Sequence, residues 1–371
     1  MGCSGDDDTD PLATPTAGMT AGLSGTASDD DDSDTGEDRG EDRGEDNEDG
    51  TAEGGQDDDT DGPAPDTGAD TGDSDGDDSG PMIPDGPWGA CAEAVPAGSP
   101  TPPAAPPYSG GTCPAIAPGY VTNFVAGGNN REFAFVVPSN YDESKQYPLV
   151  IAWYHLSGDA QEFLDTIGAQ ALADTTQTIY AVPQATGNFD FVWPSTPLDN
   201  GQASVDLAMF DDMLACISEQ YSVNPYCVGS VGVSAGGLWT SYLGQQRGQY
   251  LSSNVVISGG HPADIGWWGW SPSPHKFASL VLWGGPTDEL IINFHAASTN
   301  LASEYAGDGH FVLRCEHTGG HGVPPPDVPG DPPPFDVLFE FFLAHPYWVD
   351  NGNSPYLTEG LPPEYPSYCA L

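Results

Sequence analysis

Basic residues are nearly missing from this chain. Seven Lys and Arg stand against 56 Asp and Glu, for a formal net charge of −49. Phosphate contacts need clustered Lys and Arg, so nucleic acid is excluded as a partner. Anionic membranes repel such a chain as well. No Cys-x-x-Cys pair occurs among the seven cysteines, which argues against a structural zinc site or a thioredoxin-like motif. The eight histidines form no His-Glu-x-x-His pattern, and the adjacent Glu316 and His317 point to opposite sides of a strand. No metal or other cofactor is therefore expected. No apolar run reaches the length that spans a bilayer, and no secretion signal is visible.

What is present is unevenly placed. Residues 1–87 carry 29 of the acidic residues with only Arg39 and Arg43 as bases, and include the repeat Gly-Glu-Asp-Arg at 36–39 and 40–43. A segment so poor in apolar groups cannot offset its ordering entropy and is expected to be a disordered acidic tether. Asp57–Asp59, Asp61 and Gly62 look like half of a calcium loop. The bidentate Glu required at loop position twelve is Gly68, so the motif fails. Met1-Gly2-Cys3-Ser4-Gly5 ahead of this tract resembles the mature start of a bacterial lipoprotein, with Cys3 as candidate lipid anchor. Asp6 stands where an N-myristoylation signal needs Ser or Thr. Residues 88–119 read as a Pro-rich connector, 120–346 as a folded domain and 347–371 as a C-terminal extension.

Beyond Cys3, six cysteines remain: Cys91, Cys113, Cys216, Cys227, Cys315 and Cys369. Three disulfides in an oxidising, extracytoplasmic compartment are expected. Six cysteines allow fifteen pairings. Sequence proximity suggests Cys91–Cys113, Cys216–Cys227 and Cys315–Cys369.

Hydrophobic periodicity gives the fold class. Residues 131–138 alternate like a half-buried strand, and 147–154 form a continuous apolar run suited to a buried parallel strand. Further strands are predicted at 178–183, 226–233, 254–258, 279–283 and 310–316. Helices are predicted at 159–174, 203–220, 235–246, 289–305 and 334–344. Alternation of this kind makes a mostly parallel sheet with helices on both faces, with functional residues past the carboxyl ends of strands.

One such end carries chemistry. Gly232-Val233-Ser234-Ala235-Gly236 follows an apolar strand and opens a helix. This is the G-x-S-x-G nucleophile elbow in its required context, and it points to an α/β-hydrolase. A Ser hydroxyl needs a base, and the base needs an orienting acid. Hydrolases of this fold supply them later in the chain, in the order acid then base. Asp288 lies past strand 279–283 and His321 past strand 310–316. Asp264 is the second choice for the acid, and His317 is read as a support for its loop. The oxyanion donors are expected at the backbone N–H of Ala235 and of Leu156, with His155 shaping that turn. His155, Trp193 and Trp268 are candidate pocket residues; exposed Trp stacks on aromatic acids, sugars and apolar polymers. His261 is read as a loop-packing residue.

With these residues in hand, residues 120–345 resemble the secreted family of feruloyl esterases and polyhydroxybutyrate depolymerases. Asn130–Phe133 and Val137–Tyr141 look like its opening hairpin, and residues 147–150 like its central strand. Residues 228–237 resemble its elbow, and Gly319-Gly320-His321 its catalytic His loop. The chain departs from the pattern where Leu156 replaces a Gly, where Gly322-Val323-Pro324 replaces an aromatic, and in the insert Trp267-Trp268-Gly269-Trp270. The resemblance implies a monomeric serine esterase acting on a polymer-linked ester, feruloyl or acetyl on plant polysaccharide or a polyhydroxyalkanoate. Two rivals remain. One is a peptidase of the same fold; the other is a surface-tethered carbohydrate- or polyester-binding protein whose site has lost activity.

Overall fold

Apolar runs too long to leave one face in water must be covered on both sides, and the strands here are. β3 (Tyr147–Trp153), β4 (Ile179–Pro183), β6 (Ser253–Ile257) and β7 (Ala278–Trp283) are buried along their whole length. The computed structural model describes residues 87–186, 202–349 and 353–371, all within a unit that runs from Asp75 to Leu371. The acidic tether to residue 86, Cys3 and Trp193 lie outside the described residues.

Among the described residues, nine strands form one sheet in the order β1-β2-β4-β3-β5-β6-β7-β8-β9. β1 (Gly119–Ala126) and β2 (Asn129–Val136) make an antiparallel hairpin at one edge, and β2 pairs antiparallel with β4. From β4 through β3, β5 (Val223–Val233), β6 and β7 to β8 (Val312–Glu316) all pairs are parallel. β9 (Cys369–Ala370) closes the far edge antiparallel to β8. This is the α/β-hydrolase architecture expected from the sequence. Among the described residues, no helix is long and apolar enough to cross a membrane.

Side-chain alternation along β5 defines the two faces. A Cβ on Gly229 would run into Phe342 of α6 (Phe335–Ala344), whereas one on Gly232 would meet Gly236 and Thr240 of α4 (Ala235–Arg247). α3 (Gln202–Gln220) packs beside α4. Cys227 points with Gly229 to the α6 face, while Cys216 sits on α3 across the sheet. The pairings Cys216–Cys227 and Cys91–Cys113, suggested by proximity in sequence, are therefore not formed. Cys91 lies against α6, with its Sγ near the Phe342 carbonyl, and bonds Cys227; Cys113 bonds Cys216. Cys315–Cys369 joins β8 to β9 as expected. The connector thus runs from one face to the other. Between its two bridges it is fixed by the Ser109 backbone N–H and hydroxyl, both donating to Asp212.

Two helices differ from their expected bounds. The stretch predicted as one helix over 159–174 is two, α1 (Ala160–Thr166) and α2 (Ala169–Thr176). Gly168 between them takes φ 63°, a value that breaks helical continuity. The helix predicted from 289 starts instead at Phe294, as α5 (Phe294–Asp308), because the Asn293 side chain accepts from the Ala296 N–H and caps it there. β1 was not anticipated: half of its residues are exposed, which blurs the alternation.

Peptide mapping without reductant should recover Cys91–Cys227, Cys113–Cys216 and Cys315–Cys369; a Cys216–Cys227 peptide would contradict the two-faced arrangement. Removing Cys113–Cys216 by the double change to Ser should cost about 2–5 kcal/mol in urea unfolding. A second expectation concerns His310 and His345. Both are buried, and desolvation pushes each down to a pKa of about 4 against the pull of a carbonyl partner. The unfolded chain then binds more protons than the folded one between about pH 6.5 and 4. Their contribution to stability is present above that window and lost as pH falls through it. His345→Gln should flatten that part of the stability curve, measured by thermal unfolding.

Candidate active site

The turn between β5 and α4 is tightly crowded. Ser234 occupies it at φ 56°, ψ −118°, a conformation that costs a non-Gly residue roughly 1–3 kcal/mol. The neighbouring glycines make the turn possible. A Cβ on Gly236 would enter the Trp153 and Tyr154 carbonyls at the end of β3, and one on Gly237 would meet Gly259 and Ile257 past β6. The Ser234 N–H donates to the Ile257 carbonyl at 2.9 Å, which fixes the turn against β6.

Two loops bring the partners to Ser234. The Oγ lies 2.9 Å from His321 Nε2, and His321 Nδ1 lies 2.7 Å from Asp288 Oδ1. The loops past β7 and β8 are stitched together: the His317 N–H donates to the Trp283 carbonyl and the Gly320 N–H to Gly284. A side chain on Gly284 would strike the Gly320 carbonyl. Phe294, the first residue of α5, stacks on the His321 ring with centroids 4.3 Å apart.

Asp288 is fully buried, with its Oδ2 accepting from the Gly284 N–H at 2.8 Å. Burial pushes its carboxyl up, but hydrogen bonds from His321 and Gly284 outweigh that and hold it below the ordinary carboxylate value. The buried Ser258 hydroxyl lies close enough to add to this without a hydrogen bond of standard geometry. Asp288 does not cap the helix that follows it; Asn293 does. Asp264 is exposed and has no part in the chain of hydrogen bonds. His317 is buried, which pushes its pKa down against the pull of Asp288, and its Nδ1 accepts from the Gly319 N–H.

Ala235 is the first residue of α4, so its N–H has no acceptor within the helix. Leu156 stands past the end of β3 and lines both pockets that meet at Ser234. The larger is a cavity of about 310 Å3, within the usual range for ligand sites, bordered by His155, Leu156, Phe163, Val323, Pro324 and Phe335. The smaller, about 10 Å3, is walled by Leu238, Trp267, Leu290, Ile291 and Phe294. Trp268, expected in the pocket, instead packs on Tyr242 and His261, with centroids 5.7 and 5.4 Å away. Its neighbour Trp267 lines the site. Sequence reasoning missed Leu290 and Ile291, whose spacing passes for the start of a helix; both are largely exposed at the mouth. Among the described residues, no cluster of three or more His, Cys, Asp or Glu could hold a metal ion.

The sheet order and this elbow define an α/β-hydrolase. Comparison with solved structures agrees: native pOPH and native sOPH superpose with TM-scores of 0.56 and 0.55 at 16% and 15% identity, each over 70% of this chain and 96% of theirs. The chain is similar in sequence to feruloyl esterase D of Neurospora crassa, 27% identical over 168 residues. That match covers 42% of this chain and 55% of the relative, and it bears out the resemblance read from the motifs. No family model matches the chain.

Because a Cβ at Gly236 has only backbone to displace, Gly236→Ala should lose at least the about 1–3 kcal/mol typical of over-packing. Gly307→Ala, in α5 with nothing within 4 Å of its added Cβ, should be neutral or stabilising. Urea unfolding of the two variants checks the contrast.

Proposed function

We propose that this protein is a serine esterase that hydrolyses a carboxylic ester through an acyl-enzyme. The observation that carries the reading is the unbroken run of hydrogen bonds from Ser234 to His321 to Asp288. Ser234 Oγ attacks the ester carbonyl carbon while His321 Nε2 takes its proton. Asp288 accepts from His321 Nδ1–H, which fixes the tautomer and stabilises the imidazolium as it forms. The backbone N–H groups of Ala235 and Leu156 receive the oxyanion. The imidazolium then protonates the departing alcohol. Water, deprotonated by the same histidine, releases the acid and restores Ser234.

The two pockets meeting at Ser234 suit the two sides of an ester. The larger takes an apolar or aromatic group; the smaller leaves room for little more than a methyl. Similarity to feruloyl esterase D favours a feruloyl ester. An acetyl ester of plant polysaccharide follows only from the family resemblance, and the apolar lining also suits a polyhydroxyalkanoate-type polyester. Three disulfides support an oxidising, extracytoplasmic setting.

A fluorophosphonate probe should label Ser234, mapped by mass spectrometry, and Ser234→Ala should abolish the label. A folded wild-type protein that stays unlabelled would favour the inactive binding-protein reading. Asp288→Asn should lower kcat by about 10^4-fold with little change in KM. Asp288 is held below the ordinary carboxylate value, and His321 must be neutral to act as base. The rate should therefore fall on acidification; a profile flat on the acid side would contradict the assignment.

A further inference from the structure

The segment that supplies Trp267 belongs to no helix or strand beyond the short 3-10 turn Ala263–Ile265, so something else must hold it. His261 does. Its Nε2 lies 3.0 Å from the Trp268 carbonyl, and its ring sits between those of Trp268 and Trp270. His261 is in turn fixed to α5: its N–H donates to the Ala297 carbonyl at 2.9 Å, and its Nδ1 lies 2.6 Å from Glu304 Oε2.

Both ring nitrogens of His261 therefore face acceptors. A neutral imidazole has one N–H and can satisfy only one of them. The two contacts coexist only when the pair holds one more proton than a neutral histidine beside a carboxylate. That proton sits either on the imidazole or on Glu304. When it leaves, the tautomer that keeps Glu304 presents a lone pair to the Trp268 carbonyl, and that contact is lost. Glu304 is the charged group that α5 turns toward His261. Tyr305 on α5 and Tyr242 on α4 reach the ring only through Trp270 and Trp268, and Asp264 in the same loop is exposed. Burial raises the Glu304 carboxyl, which favours retention of the proton.

We propose that the His261–Glu304 pair is a proton-dependent latch that positions Trp267 against Ser234 and so restricts the smaller pocket to a methyl-sized ester group. The proposal rests on the esterase reading above. With the latch closed, Trp267 and Leu238 leave about 10 Å3 beside the Ser234 turn, the room of roughly one water. With it open, the segment of residues 263–270 loses its hydrogen-bonded tie to α5 through His261, keeps the Trp270–Tyr305 ring contact, and the wall gives way to longer groups. His261 and Glu304 are positioning residues; neither lines the pockets around Ser234.

The test uses the full chain and two ester series, one lengthened by methylenes in the acyl group and the other in the alcohol. For the wild type, one series should lose about tenfold or more in kcat/KM per step beyond methyl size. His261→Ala should collapse that discrimination through KM, while kcat for the methyl-sized ester and the rate of Ser234 labelling stay within about twofold. In the wild type the discrimination should also weaken as pH rises. Glu304→Gln separates a latch from a mere packing role. Its amide N–H can donate to Nδ1 of neutral His261, leaving Nε2–H for the Trp268 carbonyl. This variant should keep the discrimination and lose its pH dependence. Unchanged selectivity in His261→Ala, or an equal fall in kcat for every ester, would overturn the proposal. So would a Glu304→Gln profile that follows the wild type. Absence of label on wild-type Ser234 would instead overturn the esterase reading and the latch with it. Circular dichroism of Glu304→Gln guards against a folding failure in His261→Ala.

Discussion

A side chain at φ 56° between a buried strand and a buried helix is unfavourable unless its surroundings leave the backbone no alternative. At Ser234 they do. Gly232, Gly236 and Gly237 let α4 approach the ends of β3 and β6 until backbone meets backbone, at distances no Cβ could share. That contact aims the Ser234 Oγ outward, places the first N–H of α4 beside it and fixes the ends of β3 and β6 around the turn. The loop past β7 then needs only to reach β8 for Asp288 and His321 to fall in line. The rest of the site is built outward from this one steric constraint.

Loops and helix ends rather than strands wall most of the two pockets at Ser234. The turn at 288–293, whose Asp288 carbonyl accepts from the Phe294 and His295 N–H groups, turns Leu290 and Ile291 outward to form the rim. It also frees the Asp288 carboxylate for His321. The Trp insert forms the opposite wall. The Ser234 turn is therefore held by backbone-to-backbone contacts with the ends of β3 and β6, while parts of the pocket walls belong to segments tied down by single side chains.

Much of this was legible in the sequence, for reasons that separate the readable from the unreadable. Gly232-x-Ser234-x-Gly236 announces itself because its steric demand is local: the residues that must be small are the ones beside the serine. Asp288 and His321 could be placed because each follows an apolar run that can only be a buried strand. The disulfides could not, because pairing depends on which face of the sheet a cysteine points to. Cys216 and Cys227 are eleven residues apart and on opposite sides of β5. The choice between Trp267 and Trp268 was hidden for a similar reason: it is made by His261, a residue whose partner lies on α5. Asn293, which sets where that helix begins, competes with an apolar stretch that passes for a first turn.

The connector between Cys91 and Cys113 has a consequence for how the molecule withstands cleavage. Its two ends are covalently attached to opposite faces of the same core. A protease that cuts the exposed Pro-rich stretch between them severs the backbone without releasing either fragment. Such a nick sheds nothing that the core depends on. The folded unit can therefore tolerate a cut in this exposed stretch, and only a second cut or a reductant turns one lesion into loss.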